Sequence, residues 1–594
     1  MSTDQKRVFD DFGGKFEARL RDHRVVTRTT RMREGDITLA NPIAILEVRF
    51  DFEILDRLHE PSFIGIERST SKGPTYLIYE IAALKPTHFQ MLGMDVAMPT
   101  VIRKEYLNTI NGSWGKSDET WIDVVAVPTQ YRMDFDGREP RFSKARLVPL
   151  TGSKVYLLSN DTVRKFLCVE KGVSVGSLIG FGMPLTVSID SMVRYHTGLF
   201  GFTGSGKSNL TSYLVRESVK DIPDLKVAIF DVAGEYSIHL LDLLSTKGKV
   251  FSTEDFQNSP LNFLNSQAIP ETLEEKVKEE ALLKKVQGLF DKGRIHKISL
   301  GTPSELPAIT LGYIMSILQN TSESKGSGSV QATLALQQLV QYFLTERGYD
   351  TEVDVTAIKG EDRHRLTDIL DTLIGSVHGM SSLRLDLTAL VDHIHKSGER
   401  AGEIKEEATP APMNPEKLAS FLLSQDAPQV NVIYIPEPDK ARLAVSRFID
   451  RLLFLKKTSG ARRKVLVVLD EAQEFIPDRV AKSDFSESSN RAVEALLRQG
   501  RKYRAHCWIS TQRVAHLNVN ALQQLHSYFV STLPRFYDRM VIADAFSLSY
   551  DMLEKTTELE TGQWLFVSYK ATKQNNVPAF IRAPNNEELL LESF

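Results

Sequence analysis

The stretch HTGLFGFTGSGKSNLTSYLVRESV, residues 196–219, decides the fold. It opens on a short apolar run, passes through GFTGSGKS at 201–208 and continues with leucine, tyrosine and valine at helical spacing. Strand, glycine-rich turn and helix in that order are the setting in which G-x-x-x-x-G-K-[ST] cradles a phosphate chain. Gly201, Gly204 and Gly206 let backbone N–H groups curl around phosphate oxygens, with Thr203, Ser205 and Asn209 completing the loop and first helical turn. Lys207 is placed for the β and γ phosphates of ATP, and Ser208 offers its hydroxyl to Mg2+. Average residue usage gives about 0.02 chance matches to this pattern in a chain of such length. A glycine turn without a ligand is the weaker reading.

Working outward, KVLVVLDEAQEF at 464–475 ends a buried strand on two carboxylates. Successive strand residues face opposite sides, so Asp470 and Glu471 cannot share one task. Asp470 is placed to hold Mg2+ through water, and Glu471 to polarise a water that attacks the γ phosphate. A polar strand end is the plain alternative. In AIFDVAGEYS, Asp231, Glu235 and Tyr236 follow another buried strand. Ligands of open α/β sheets gather at the carboxyl ends of strands, so Glu235 is a candidate for orienting water; a turn built on Asp and Gly is the other reading.

The wider chain agrees with a multidomain globular protein. It has 594 residues, 42% hydrophobic and 25% charged, with Lys+Arg 73 against Asp+Glu 76. That balance excludes a globally basic nucleic-acid binder, so any such surface is local. Cys168 and Cys507 are too few and too far apart for a disulfide framework or zinc site. No apolar run reaches the roughly 20 residues of a membrane span, and the start lacks a signal segment; a cytoplasmic protein without membrane contact is expected.

Residues 1–188 read as a β-rich barrel, from runs such as PIAILEVRFDF and TWIDVVAV between turn residues. Residues 189–594 read as an α/β domain with a mainly parallel sheet, because its apolar runs lack polar alternation. A mainly helical insertion is expected at about 240–428 and a strand pair at about 561–583. TSESKGSGS (321–329) and the charged, proline-bearing 396–416 read as mobile loops.

RYHTGLFGFTGSGKSN, FDVAGEY, VLVVLDEAQEF, RQGRKYRAHCWISTQR and LQQLHSYFVSTLPRFYDR, in this order, resemble the HerA branch of the HerA/FtsK superfamily of ring ATPases. TGQWLFVSYKATKQNNVPAFIRAP is similar to its C-terminal strand pair. The chain departs from the family at Ala233, where histidine is common. The resemblance implies a RecA-like P-loop core behind an N-terminal HAS-barrel-like domain. It also implies a homohexamer that hydrolyses ATP with Mg2+ and moves double-stranded DNA through its pore. A separately encoded effector is implied as well: a nuclease, or in anti-phage defence a sirtuin-like NAD-consuming enzyme. In one reading the ring translocates DNA; in the other it is chiefly a scaffold and nucleotide-controlled regulator. The guanine-reading N-K-x-D and the ABC signature LSGGQ are absent, which disfavours GTPases and ABC ATPases.

The basic run 498–513 follows an amphipathic helix that buries Ala492, Val493, Leu496 and Leu497 and that Gly500 can end. Its charges are expected at a sheet edge near the nucleotide crevice. The resemblance makes Arg501 the first candidate for an arginine acting on phosphate and Arg194 a second, supplied to a neighbouring subunit, with Gln512 as a sensor of the γ phosphate. The sequence does not determine which loops would line the pore; the segments around 321–329 and 479–490 are candidates, with solvated linkers the equal alternative.

Overall fold

Eight parallel strands form the centre of the molecule, in the spatial order Ser527–Val530, Thr197–Phe200, Ala505–Thr511, Val465–Leu469, Lys226–Asp231, Val430–Tyr434, Gly248–Ser252 and Ile295–Lys297. Their residues are almost all buried, as expected for strands covered by helices on both faces. In this computed structural model the chain is described except at residues 1–7, 33–34, 72, 93–97, 117, 136–138, 301–309, 323–327, 352, 377–386, 389, 392–393, 395–412, 459–461 and 481–483. Most of both expected mobile loops lies outside the described residues.

Four antiparallel strands extend the sheet beyond Ser527–Val530: Gln563–Ser568, Ala579–Arg582, Val173–Leu178 and Met183–Val187. The expected C-terminal strand pair is the first two of these. The last two correct the expected boundary at 188: they pair with the C-terminal hairpin, Ile581 opposite Leu178, so 173–187 belongs to the central sheet. The insertion also contributes more than helices. Gly248–Ser252 and Ile295–Lys297 add the outer edge of the sheet. Its helical remainder has a core of its own, with Leu311, Leu318, Leu366 and Leu370 packed with Phe454.

Toward the N-terminus, Ala18–Met32, Gly35–Arg49, Thr120–Asp134, Gly73–His88 and Phe63–Thr70 pair in that order, all antiparallel. Lys154–Leu158 pairs with both the first and the last, so the circuit of hydrogen bonds returns on itself and leaves few free edges. Leu20, Leu46, Ile64, Ile122 and Val124 fill its interior. This module meets the sheet domain through Arg28, whose guanidinium is 2.6 Å from Asp551, and through Lys555, which donates to the Ile81 carbonyl.

Candidate active site at the carboxyl edge of the sheet

Strand register determines what meets beyond the carboxyl ends. Phe200 is abreast of Thr511, and Leu469 is abreast of Ile509. Gly201 and Gln512 therefore leave their strands at one level, with Glu471 on the other side of Gln512 and one residue short of it.

The phosphate-loop residues form the expected strand–loop–helix unit, Thr197–Phe200 followed by Lys207–Asp221. Gly204 and Gly206 have φ of 81° and 90°, a left-handed conformation that side chains resist. A Cβ on Gly201 would lie 2.6 Å from Ser205 Oγ. Lys207 is buried, and its Nζ donates to the Phe202 carbonyl at 3.2 Å. Ser208 Oγ donates to Glu235 Oε2, and Thr203 Oγ1 to Gln512 Oε1. The 15-residue helix points its positive N-terminal end at the loop.

Asp231 takes the backbone part of its turn, accepting from Gly234 N at 2.7 Å and Tyr236 N at 2.9 Å. Burial pushes its carboxyl up to about 6, against the pull of those N–H groups. The turn reading of this segment therefore describes Asp231, while the Glu235 side chain faces Ser208. Tyr236 donates to Asp470 Oδ1 at 3.2 Å. Burial holds the Asp470 carboxyl well above the usual range, the charges of Asp231, Glu235 and Glu471 add to that, and Lys207 opposes it.

Asp470 and Glu471 both lie beyond the strand, which ends at Leu469, so it is the turn and not strand alternation that sets their directions. Glu471 has φ of 46°, left-handed, and starts a short 3₁₀ turn, Ala472–Glu474. Its Oε1 accepts from Gln512 Nε2 at 2.9 Å and its Oε2 from Gln473 Nε2 at 2.7 Å.

The donor set fits Mg2+. Ser208, Glu235 and Asp470 offer hard oxygens beside the phosphate loop, and the clustered carboxylates repel one another until a cation enters. Among the described residues no three carboxylate, imidazole or thiol groups cage a cation on their own. A hydroxyl with one or two carboxylates leaves room for phosphate oxygens and water.

A cavity of about 680 Å³ opens beside the first helical turn, lined by Gly206, Asn209, Thr561, Arg582, Asn585 and Glu588 among others. The C-terminal hairpin reaches the phosphate loop here: Gly562 N donates to Ser205 O and Thr561 Oγ1 to Gly204 O, each at 3.2 Å. The Asn209 side chain, expected at the nucleotide, is instead taken up at both ends, donating to Asn585 Oδ1 at 3.0 Å and accepting from Asn586 N at 2.7 Å.

The basic run lies elsewhere. Its helix, Ser486–Gln499, buries the four expected apolar residues. Gly500 continues right-handed, and Arg504, with φ of 58°, makes the left-handed turn into the strand. Gly500 is required for closeness instead, since a Cβ there would lie 2.2 Å from the Ala505 carbonyl. Arg501 thus precedes Ala505–Thr511 at its amino end, about 20 Å from Gln512 at about 3.3 Å per residue. This corrects the expected position near the crevice of the same chain. Arg194 is at that edge too: its guanidinium lies 5.6 Å from the Tyr195 ring, Arg501's 5.5 Å, and the Lys570 ammonium 5.9 Å. Arg194 and Arg501 are exposed, and neither has a carboxylate partner among the described residues.

Gln473, Thr511 and Tyr236 hold the site together without having been assigned a task from sequence. The available signal was DEAQEF itself, which puts Gln473 two residues beyond Glu471.

Residues 173–381 match the family model described as Helicase HerA, central domain. No curated protein matches the chain. Among solved structures, it is similar to VirB4 of Thermoanaerobacter pseudethanolicus, at 13% identity over 70% of this chain and 97% of that one, with a TM-score of 0.36. It is similar to the plasmid coupling protein TrwB in complex with the GTP analogue GDPNP, at 14% identity over 72% and 93%, with a TM-score of 0.36. The genome packaging NTPase B204 from Sulfolobus turreted icosahedral virus 2 is similar at 18% identity over 29% and 74%, with a TM-score of 0.19. No described helix is long and apolar enough to cross a membrane.

Proposed function

We propose that this chain, a HerA-type P-loop ATPase by its match over residues 173–381, is an ATP-hydrolysing motor that moves double-stranded DNA as a homohexamer. One observation carries the reading. Gln512 joins the phosphate loop to Glu471, with Lys207, Ser208 and Asp470 alongside. Lys207 exchanges the Phe202 carbonyl for the β and γ phosphates. Ser208 and Asp470, with Glu235 beside them, hold Mg2+, which supplies charge neutralisation on the phosphate oxygens. Glu471 accepts a proton from the attacking water, and Gln512 reports the γ phosphate.

The arginines act between subunits. In one chain Arg501 and Arg194 are a strand's length from the phosphate, so they serve the site of a neighbour, Arg501 directly on the transferred phosphoryl group. The closed circuit of N-terminal strands is the HAS-barrel-like collar of the ring. DNA is gripped through its phosphates, without sequence readout and with a steep loss of affinity in salt. Of the candidate pore loops, 323–327 and 481–483 lie outside the described residues.

A second reading, a ring scaffold regulating a separately encoded nuclease or sirtuin-like NADase, draws support from the N-terminal module. Phe89, Leu92 and Val101 are 63%, 71% and 79% exposed there, an apolar surface suited to a protein partner. ATPase rates with and without duplex DNA, alone and with the product of the neighbouring gene, separate the two. Stimulation by DNA is expected; stimulation by the protein alone would replace the motor with the regulator. Glu471→Gln should bind ATP and lose hydrolysis by 10²-fold or more, on the order general-base catalysis supplies, and normal turnover would remove Glu471 from its role.

A further inference from the structure

The two amides that hold Glu471 are anchored in different kinds of structure. A carboxylate only accepts hydrogen bonds, so each amide must turn its NH2 toward Glu471 and its oxygen away. The Gln473 oxygen accepts from Thr511 Oγ1 at 2.6 Å, and Thr511 Oγ1 in turn accepts from Arg513 N at 3.0 Å. Thr511 is fully buried at the end of a central strand. The Gln512 oxygen accepts from Thr203, which is exposed on the phosphate loop. A γ phosphate entering the loop competes with the second anchor and leaves the first alone.

Backbone conformation brings Gln473 into range. The left-handed Glu471 turns the chain, so the residue two places on returns to its own carboxylate. A left-handed backbone is uncommon for a residue other than glycine, and here it gives the carboxylate a fixed support.

We infer that Gln473 is the positioning residue that keeps Glu471 aimed during hydrolysis, while Gln512 is a latch that gives up its hold when nucleotide fills the loop. The inference rests on Glu471 as the water-activating group. A general base needs a lone pair facing water; each carboxylate oxygen has two acceptor sites, and release of Gln512 opens both of those on Oε1 while Gln473 still holds the side chain through Oε2. Thr511 orients Gln473 and touches no substrate.

The test is steady-state ATPase kinetics of the full-length ring with duplex DNA, alongside binding of a fluorescent ADP analogue. Gln473→Ala, and Gln473→Met, which keeps the length but not the donors, should each lower kcat tenfold or more. KM and analogue binding should stay as in the wild type. Thr511→Val should show the same split, Thr511→Ser should recover kcat, and Gln473→Ala with Thr511→Val should lose no more than the larger single loss. In a Glu471→Gln background Gln473→Ala should change nothing further. Wild-type kcat in both Gln473 variants, with Glu471→Gln inactive, overturns the inference and leaves the function standing; so do losses that multiply in the double variant. Normal hydrolysis by Glu471→Gln removes both.

Discussion

At the carboxyl edge of the sheet, Asp231, Glu235, Asp470 and Glu471 crowd around one lysine, knit together by hydroxyl and amide donors. At the amino edge, Arg194, Arg501 and Lys570 share the face of Tyr195 and lack carboxylate partners among the described residues. The carboxylates follow Lys226–Asp231 and Val465–Leu469, whereas Arg194 and Arg501 precede the neighbouring strands Thr197–Phe200 and Ala505–Thr511; along the longer of these the two edges are about 20 Å apart at about 3.3 Å per residue. Folding alone gains little from either arrangement. Like charges gathered in a buried site raise one another's cost, and exposed cations over the half-buried Tyr195 ring contribute only about 0.5–1 kcal/mol. On the proposed function, the difference teaches that each edge would be half of a site: the acidic half for a cation and phosphate, the basic half for the phosphate of the next subunit.

The most severe way to break this pairing is Arg501→Ala. Hydrolysis should fall about 10³-fold or more, the scale of an arginine finger, while the melting temperature of the protomer stays unchanged. Mixing this variant with Lys207→Ala should restore part of the activity, because one interface then joins an intact loop to an intact arginine. Normal turnover by Arg501→Ala would leave the amino edge without a part in catalysis.

A smaller effect isolates the acidic half. Asp231 has its carboxyl raised to about 6, above the value near 3.9 of an unfolded chain. Between about pH 4 and 6 the folded form keeps a proton that the unfolded form has lost, so stability falls as pH rises. The loss from this group is about 3 kcal/mol at about 1.4 kcal/mol per pH unit. Calorimetry of nucleotide-free protein across that range should show the decline, and Asp231→Asn should make it shallower, with the rest left to Asp470, which burial also raises. An equal slope in the variant would assign the decline to other groups.

The mildest test concerns the platform of the basic half. Tyr195→Ala removes the ring beneath Arg194 and Arg501, and should lower kcat about three- to fivefold, for an exposed cation–π contact of about 0.5–1 kcal/mol. Tyr195→Phe should behave as wild type in the same assay, since it keeps the ring face. Equal losses in both variants would argue against stacking.

Much of this was readable from the sequence. The phosphate loop announces itself because its glycines are required by backbone geometry, with Gly204 and Gly206 left-handed as observed. Asp470 and Glu471 were readable as the carboxylates just past a buried strand, but the strand ends at Leu469 and a left-handed turn at Glu471, not the two-residue period, separates them. The position of Arg501 was not readable in the same way: proximity in sequence to a strand does not say which end of the sheet that strand presents. Parallel register settled it, through Thr197 abreast of Trp508. The strands at 173–187 were misplaced because an alternating hairpin looks alike in either module, and only its pairing with Ala579–Arg582 assigns it. Gln473 was invisible as a partner of Glu471 because that contact depends on a left-handed glutamate, which local pattern does not predict.

The hydrogen bond from Thr561 to the Gly204 carbonyl spans 357 residues of chain. At about 5–20 residues per second of synthesis, the phosphate loop waits roughly 20–70 s for the hairpin that braces it. A chain still on the ribosome has all of its nucleotide-binding motif but not the clamp upon it, nor the strands that close the sheet against 173–187. The brace on the phosphate loop is therefore completed only after residues 561–582 have been made, long after the loop it holds.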